Sequence, residues 1–162
     1  MNMIRLDETR LDQAAPMAAA FRTTLDGFRG VETRPNVEAG REELRDYLQS
    51  GFPIFAAEED GILAGYVVCR IDEPCLWVEQ LYVREEYRRR GVGSLLFRKA
   101  EELAKSMGEE TTFNYVHPNN DAVIRFLRSM GYTVLNMIEL RKPYKGESPA
   151  RKIRVGNHEF DY

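Results

Sequence analysis

A run of apolar and aromatic residues, Leu76-Trp77-Val78-Glu79-Gln80-Leu81-Tyr82-Val83, leads through a short polar stretch into Arg88-Arg89-Arg90-Gly91-Val92-Gly93 and then into an amphipathic repeat. The run is rich in β-branched and aromatic side chains and reads as a buried strand. Val92, Leu95, Leu96, Ala100, Leu103 and Met107 recur on one helical face, with Arg98, Lys99, Glu101, Glu102 and Lys105 largely on the other, and Gly108 stops the repeat. Strand, Arg/Gly turn and helix in that order commit the middle of the chain to an α/β unit. They also put an anion-binding geometry at the turn. A helix start leaves backbone N–H groups without intrahelical partners, and their aligned dipoles favour negative charge. Gly91 and Gly93 carry no Cβ, so a phosphate can approach the amides, while the guanidiniums and the Ser94 hydroxyl supply further donors. A surface turn with solvated arginines has the same composition, so the rest of the chain must decide.

That rest alternates helices and strands. Residues 3–6 read as a strand and residues 11–28 as a helix interrupted by Pro16, near which its start is expected. Residues 29–36 form a loop, and residues 37–49 a second helix stopped by Ser50-Gly51. Residues 53–58 and 62–71 make a hairpin around Glu59-Asp60-Gly61, because Asp-Gly supplies the positive φ angles such turns favour. After the central unit come a strand at 111–116, a helix at 120–130 ended by Gly131, and a strand at 132–140. Residues 151–155 suit a last strand, with 156–162 as a tail.

Composition bounds the reading. A chain of 162 residues, 43% hydrophobic and 30% charged, suits one soluble domain with a single core. No apolar run approaches the roughly 20 residues of a membrane helix, and the charged residues among the first ten do not make a secretory signal, so a cytoplasmic location is expected without a membrane partner. A net charge of −3 argues against a nucleic-acid partner. Cys69 and Cys75 match no common zinc spacing, and His117 and His158 do not complete one; buried free thiols and no metal are expected. A Walker-type nucleotide loop is the weakest reading, since no lysine follows Gly93 at the required place.

Two ordered segments carry a resemblance. Leu81-Tyr82-Val83-Arg84-Glu85-Glu86-Tyr87-Arg88-Arg89-Arg90-Gly91-Val92-Gly93 is similar to the acyl-coenzyme A binding core of the Gcn5-related N-acetyltransferase (GNAT) family, whose Gln/Arg-x-x-Gly-x-Gly/Ala signature reads Arg88-x-x-Gly91-x-Gly93 here. Downstream, the segment from His117 through Asn120 and Leu127 to Gly131-Tyr132 resembles the family's Asn-x-x-Ala-x-x-x-Tyr-x-x-x-Gly-Phe element. Counted back from Gly131, the family asparagine falls on Asn120 rather than Asn119. The two segments span residues 76–132, and a weaker N-terminal pattern extends the likeness to most of the chain.

The resemblance implies a GNAT-like, acyl-CoA N-acyltransferase α/β fold: a mixed, mostly antiparallel sheet of about six to seven strands flanked by about four helices. It implies a GNAT domain over residues 1–143 and a C-terminal extension, 144–162, packed on the same domain or on a dimer partner; a homodimer stays open. It implies acetyl-CoA as co-substrate, an amine acceptor approached from the two N-terminal helices, and N-acetyl transfer by direct attack. In the family fold the core strand splays from the next one and the pantetheine arm lies in the opening. Backbone contacts are therefore assigned to Leu81, Tyr82 and Val83, and pyrophosphate contacts to Arg88, Arg89, Arg90, Gly91, Val92, Gly93 and Ser94. Asn120 falls near the pantetheine, and a helix N-cap suits it equally.

Three chemical jobs need residues: a base for the ammonium, a donor for the carbonyl oxygen and an acid for the departing thiolate. Glu79 is the first candidate for the base, with a structural carboxylate paired to an arginine as the competing reading. Another family base position on the strand holds Trp77, which accepts no proton. A backbone N–H near Leu81 suits the carbonyl. The acid is where the chain departs from the family, because the usual tyrosine position is Leu127. Tyr115 and Tyr132 sit on strand patterns and suit core aromatics better than acids. The departure keeps open a catalytically silent acyl-CoA-binding or regulatory module as the alternative function.

Overall fold

The computed structural model describes residues 1–149 and 151–162, which divide into two compact units, Met1–Gly131 and Tyr132–Tyr162. The first unit contains β1 (Asn2–Arg5), α1 (Leu11–Phe28), α2 (Val37–Gln49), β2 (Ile54–Glu59), β3 (Ile62–Asp72), β4 (Cys75–Val83), α3 (Val92–Ser106), β5 (Phe113–Asn114) and α4 (Asp121–Ser129). Its sheet runs β1-β2-β3-β4-β5, antiparallel throughout except for the parallel pair β4 and β5. The second unit contains β6 (Lys152–Val155) and β7 (His158–Asp161), an antiparallel hairpin paired from Lys152↔Asp161 to Val155↔His158. The GNAT-like mixed sheet with its helices is thus present.

Polar side chains satisfy the first amides of the turn that leads into α1, of α2 and of α4. Asp7 accepts from the Thr9 N–H at 2.9 Å and organises a single turn that hands over to α1 at Leu11. Asn36 caps α2, its Oδ1 accepting from Ala39 N–H at 3.0 Å. The expected start near Pro16 is corrected: α1 begins at Leu11 and runs through the proline. Pro16 and Asp12 are exposed, so the Asp12 carbonyl that a proline leaves unbonded faces water, while buried Leu11, Ala14 and Ala15 anchor the preceding turn.

Helices cover both faces of the sheet. On one face Leu11, Ala14, Met17 and Ala18 of α1 and Leu44 of α2 form a core with Ile54, Ala56, Leu63, Tyr66 and Val68. The helices meet at Gly40, where a Cβ would stand 2.6 Å from Ala15 O and 2.8 Å from Ala19 N. On the other face α3 buries Val92, Leu96, Phe97, Ala100 and Ala104. The buried stripe of α3 is rotated slightly from the expected one, for Leu95 is 39% exposed and Phe97 is fully buried.

Two further expectations change. The strand expected at 111–116 shortens to Phe113–Asn114. The strand expected at 132–140 does not form: Val134, Leu135, Met137, Ile138 and Leu140 are all exposed. A strand persists only where a neighbour takes its backbone groups, and within the second unit the paired strands are β6 and β7. What read as a tail supplies β7, with Gly156 at φ 59° making the turn.

Candidate functional site

The register of β3 on β4 slips once. Val68 opposes Gln80 and Cys69 opposes Val78, leaving Glu79 as an extra residue on β4. Such a bulge changes which face the following side chains occupy. Below it, Trp77 pairs with Arg70 and above it Gln80 pairs with Val68, both partners belonging to the α1/α2 face. Glu79 bonds to Arg70 on that same face, its Oε2 accepting from Arg70 Nε at 3.1 Å. Two successive polar side chains, Glu79 and Gln80, therefore address the α1/α2 side of the sheet.

Both are held there. Arg70 also contacts Asp72 at 3.2 Å and lies 5.2 Å from the Trp77 ring centroid. Gln80 is only 2% exposed; its Oε1 accepts from Tyr66 OH at 2.7 Å, and its Nε2 donates to Glu43 Oε1 at 2.9 Å and to Tyr47 OH at 3.3 Å. Glu43 is clasped by Arg22 and accepts from Tyr47 OH at 3.2 Å. Burial pushes the Tyr47 hydroxyl up and Arg22 opposes it, while the Glu79 carboxylate adds to the upward push.

Beyond these residues lies a cavity of ≈ 540 Å³ between α1, α2 and their connection, lined by the acidic Asp26, Glu42, Glu43 and Asp46 and the basic Arg22 and Arg34. Tyr47 and Glu43 belong both to the cavity wall and to the hydrogen bonds with Gln80. A smaller cavity of ≈ 210 Å³ lies between Pro16, Met17 and Ala20 of α1 and the stretch from Tyr82 to Glu86.

The other edge of β4 opens at the same level as the bulge. β5 pairs with β4 at Trp77↔Phe113 and Val78↔Asn114, so from Glu79 to Val83 the backbone groups pointing away from β3 have no strand opposite them among the described residues. Leu81, Tyr82 and Val83 lie on this free edge and are half-buried. An amide-bearing chain can bond there as an added strand.

Past the free edge the chain enters the Arg/Gly turn. Arg89 and Gly91 take positive φ angles of 62° and 82°, and the first α3 bond runs from Leu95 N–H to Gly91 O at 3.0 Å. The amides of Val92, Gly93 and Ser94 precede that ladder, which is the arrangement that binds anions. A Cβ on Gly93 would stand 3.8 Å from Phe126 and Val83, an ordinary van der Waals contact. Arg88 donates through Nε to Val83 O at 3.0 Å, and Arg90 pairs with Glu59 at 2.9 Å. Arg89 makes no side-chain hydrogen bond or ion pair among the described residues. Asn120 caps α4, its Oδ1 accepting from Val123 N–H at 3.2 Å.

Leu127, at the position where the family acid was expected, is buried on α4. Tyr115 is not a core aromatic: it is 65% exposed and stacks on Trp77 at 4.5 Å. Among the described residues no group of acidic, histidine or cysteine side chains could hold a metal ion, and no helix is long and apolar enough to cross a membrane.

The sequence singles out Glu79, Leu81, Tyr82, Val83 and the turn, and the structure places them along one strand and the turn that follows it. Sequence reasoning missed the bulge, Arg70 as the partner of Glu79, and the Gln80, Glu43, Tyr47 and Tyr66 set. A signal existed in Gln80, a polar residue inside an otherwise apolar run.

Comparison with known proteins bears on the family and the fold. A family model described as the acetyltransferase (GNAT) family matches residues 18–132. An uncharacterised N-acetyltransferase of Methanocaldococcus jannaschii is 30% identical over 95 residues, covering 52% of this chain and 39% of the relative's length. The aminoglycoside antibiotic 6'-N-acetyltransferase of Acinetobacter haemolyticus has a similar structure, with a TM-score of 0.67 at 18% identity over 89% of this chain and 99% of that one. An aminoglycoside N-acetyltransferase solved in complex with CoA gives a TM-score of 0.68 at 16% identity, over 88% of this chain and 93% of that one. At such identities the structural likeness establishes the fold.

Proposed function

The chain belongs to the acetyltransferase (GNAT) family, and on that premise we propose that it transfers an acetyl group from acetyl-CoA to a primary amine of a small molecule or peptide within a ternary complex. One observation carries the reading. At Glu79, β4 both bulges toward the α1/α2 face and loses its β5 neighbour, so the free edge that suits the donor begins beside a carboxylate on the side of the sheet that α1 and α2 cover.

The free edge of Leu81, Tyr82 and Val83 suits the amide-rich pantetheine arm, and the amides of Gly91, Val92, Gly93 and Ser94 with Arg88, Arg89 and Arg90 suit the pyrophosphate. Asn120, already bonded to Val123, presents its remaining polar atoms near the start of α4. Glu79 receives the proton of the ammonium, directly or through water. The amine nitrogen then bonds to the thioester carbon, a backbone N–H near Leu81 steadies the oxygen, and the C–S bond breaks with its electron pair leaving on sulfur. Leu127 offers the thiolate no proton, so it leaves as the anion, and the second proton that the amine nitrogen sheds on becoming an amide passes to water.

The second reading is an acyl-CoA-binding module without turnover, favoured by Leu127 and by the ion pair that occupies Glu79. The two separate by experiment. Acetyl-CoA and CoA should raise the melting temperature and ATP should not, since a ligand that binds only the native state stabilises it. Thiol release across an amine panel then distinguishes enzyme from module: no turnover with any amine class selects the module, and stabilisation by ATP alone rejects both. In Glu79→Gln, kcat/KM should fall by about 100-fold or more; an unchanged kcat/KM across pH removes Glu79 from the mechanism.

A further inference from the structure

We propose that the acceptor amine carries an aromatic ring, and that Trp77 and Tyr115 form the subsite that holds this ring beside Glu79. The inference rests on the acetyl-transfer reading and names the class of amine within it.

The subsite follows from the strand order. Arg70 of β3 and Phe113 of β5 pair with Trp77 on its two sides, and paired residues share a face, so all three stand on the α1/α2 side of the sheet. The Arg70 guanidinium lies 5.2 Å from the Trp77 ring centroid, and Phe113 approaches the same ring at 5.1 Å. Tyr115, two residues beyond Phe113, stacks on Trp77 at 4.5 Å with 13° between the planes. The β4–β5 ladder ends at Val78↔Asn114, one step short of setting Tyr115 level with Glu79. The strands part there, and Tyr115, 65% exposed, leaves the sheet at the level of the carboxylate. One row of contacts thus runs from Glu79 through Arg70 and Trp77 to an exposed ring.

A second pair of rings continues the row. His117 stacks on Phe28 at 5.8 Å, and Asn119 Nδ2 donates to Phe28 O at 2.9 Å. The last turn of α1 therefore borders these rings through Phe28 and the cavity between the helices through Asp26.

The chemistry of this surface selects its ligand. Residues 111–120 bring no acidic side chain, so the segment offers a second ammonium no carboxylate, and Arg70 already holds the cation position over Trp77. A neutral planar group gains twice here, from apolar area removed from water and from offset or edge-to-face contact with rings already in place. The amine that it carries is drawn to Glu79.

Trp77 is the chain's only tryptophan, so its emission reports on the subsite directly. Phenylethylamine, titrated into the full chain in the presence of CoA, should change that emission saturably, and cyclohexylethylamine should require about threefold or more higher concentration. With acetyl-CoA, kcat/KM should favour phenylethylamine over cyclohexylethylamine by a similar factor and over diaminobutane by about tenfold or more, chiefly through KM. Tyr115→Ala should erase the preference between the two ring amines in both readouts. Tyr115→Phe should restore it, which separates a ring contact from any role of the phenol oxygen. A tripeptide that begins with phenylalanine, compared with its cyclohexylalanine counterpart, tells whether a small amine or a peptide supplies the ring; a preference for the aromatic member of either pair upholds the subsite. Equal responses to both members of each pair, a preference that survives Tyr115→Ala, or preferred turnover of diaminobutane overturns it. If no amine is turned over, the acetyl-transfer reading fails and the emission titration alone decides: a ring preference lost in Tyr115→Ala upholds the subsite, and equal or absent responses overturn it.

Discussion

Gly93→Ala should push stability and ligand binding in opposite directions. Gly93 is the second residue of α3, and a Cβ there meets only Phe126 and Val83 at 3.8 Å, an ordinary contact. Its φ is not in the left-handed region, so alanine adopts the backbone without strain. Replacing a helical glycine by alanine stabilises by about 0.5–1 kcal/mol, which for a chain of this size raises Tm by about 1–4 °C. On the proposed placement of the pyrophosphate over this turn, the same Cβ crowds the phosphate as it approaches the α3 amides. Losing one charge-assisted hydrogen bond costs about 1.5–3 kcal/mol, or about 10- to 100-fold in Kd. At acetyl-CoA concentrations about 100 times the wild-type Kd, ligand stabilisation should then drop from about 2.7 kcal/mol to about 0.4 kcal/mol for a 100-fold loss. Differential scanning fluorimetry with and without acetyl-CoA measures both effects in one titration. A variant with raised apo Tm and undiminished acetyl-CoA stabilisation refutes the placement of the pyrophosphate on this turn.

Three further outcomes follow from other positions. Gly65→Ala should destabilise by about 1–3 kcal/mol in thermal or urea denaturation, because the new Cβ meets Tyr82 O at 2.6 Å and Val83 Cα at 3.1 Å, backbone atoms that cannot move aside. In the native protein Cys75, half-buried, should react with a thiol reagent while buried Cys69 reacts only on unfolding, as titration with and without denaturant will show. Burial pushes the Cys69 thiol up to about 12. An unfolded thiol ionises near about pH 8.5, so the unfolded state gains from alkali first and stability falls as pH rises from there toward the folded value; Cys69→Ala should flatten that slope in chemical denaturation at pH 7 to 10.

The parts of this fold that the sequence makes legible are those where local periodicity and burial agree. The strand at 76–83, the turn at 88–93 and the helix at 92–107 differ in period and punctuation, so their order reads directly. The bulge does not. Leu76, Val78 and Gln80 are all buried and alternate with partly exposed residues, so β4 looks like an unbroken strand. Yet Val78 opposes Cys69 and Gln80 opposes Val68, which point to opposite faces of the sheet. Alternation of burial cannot reveal an extra residue in a strand covered on both sides. For the same reason the partner of Glu79 was unreadable, since Arg70 becomes its neighbour only through that extra residue. At the C-terminus the apolar run from Val134 to Leu140 has the composition of a strand but no pairing within its own unit. Composition reports what a strand prefers, and pairing decides whether it forms.

The close approach of α1 and α2 at Gly40 has a consequence for how such a chain can change its acceptor over evolutionary time. With backbone atoms of Ala15 and Ala19 standing where a Cβ would be, the two helices cannot slide or spread without first separating. Their shared wall behaves as one fixed jaw. On the proposed reading, in which this cavity admits the acceptor, variation in what it admits falls on the connecting residues 29–36 and the outward side chains Glu42 and Asp46. Recruitment of a new acceptor becomes a matter of swapping trim on a rigid frame.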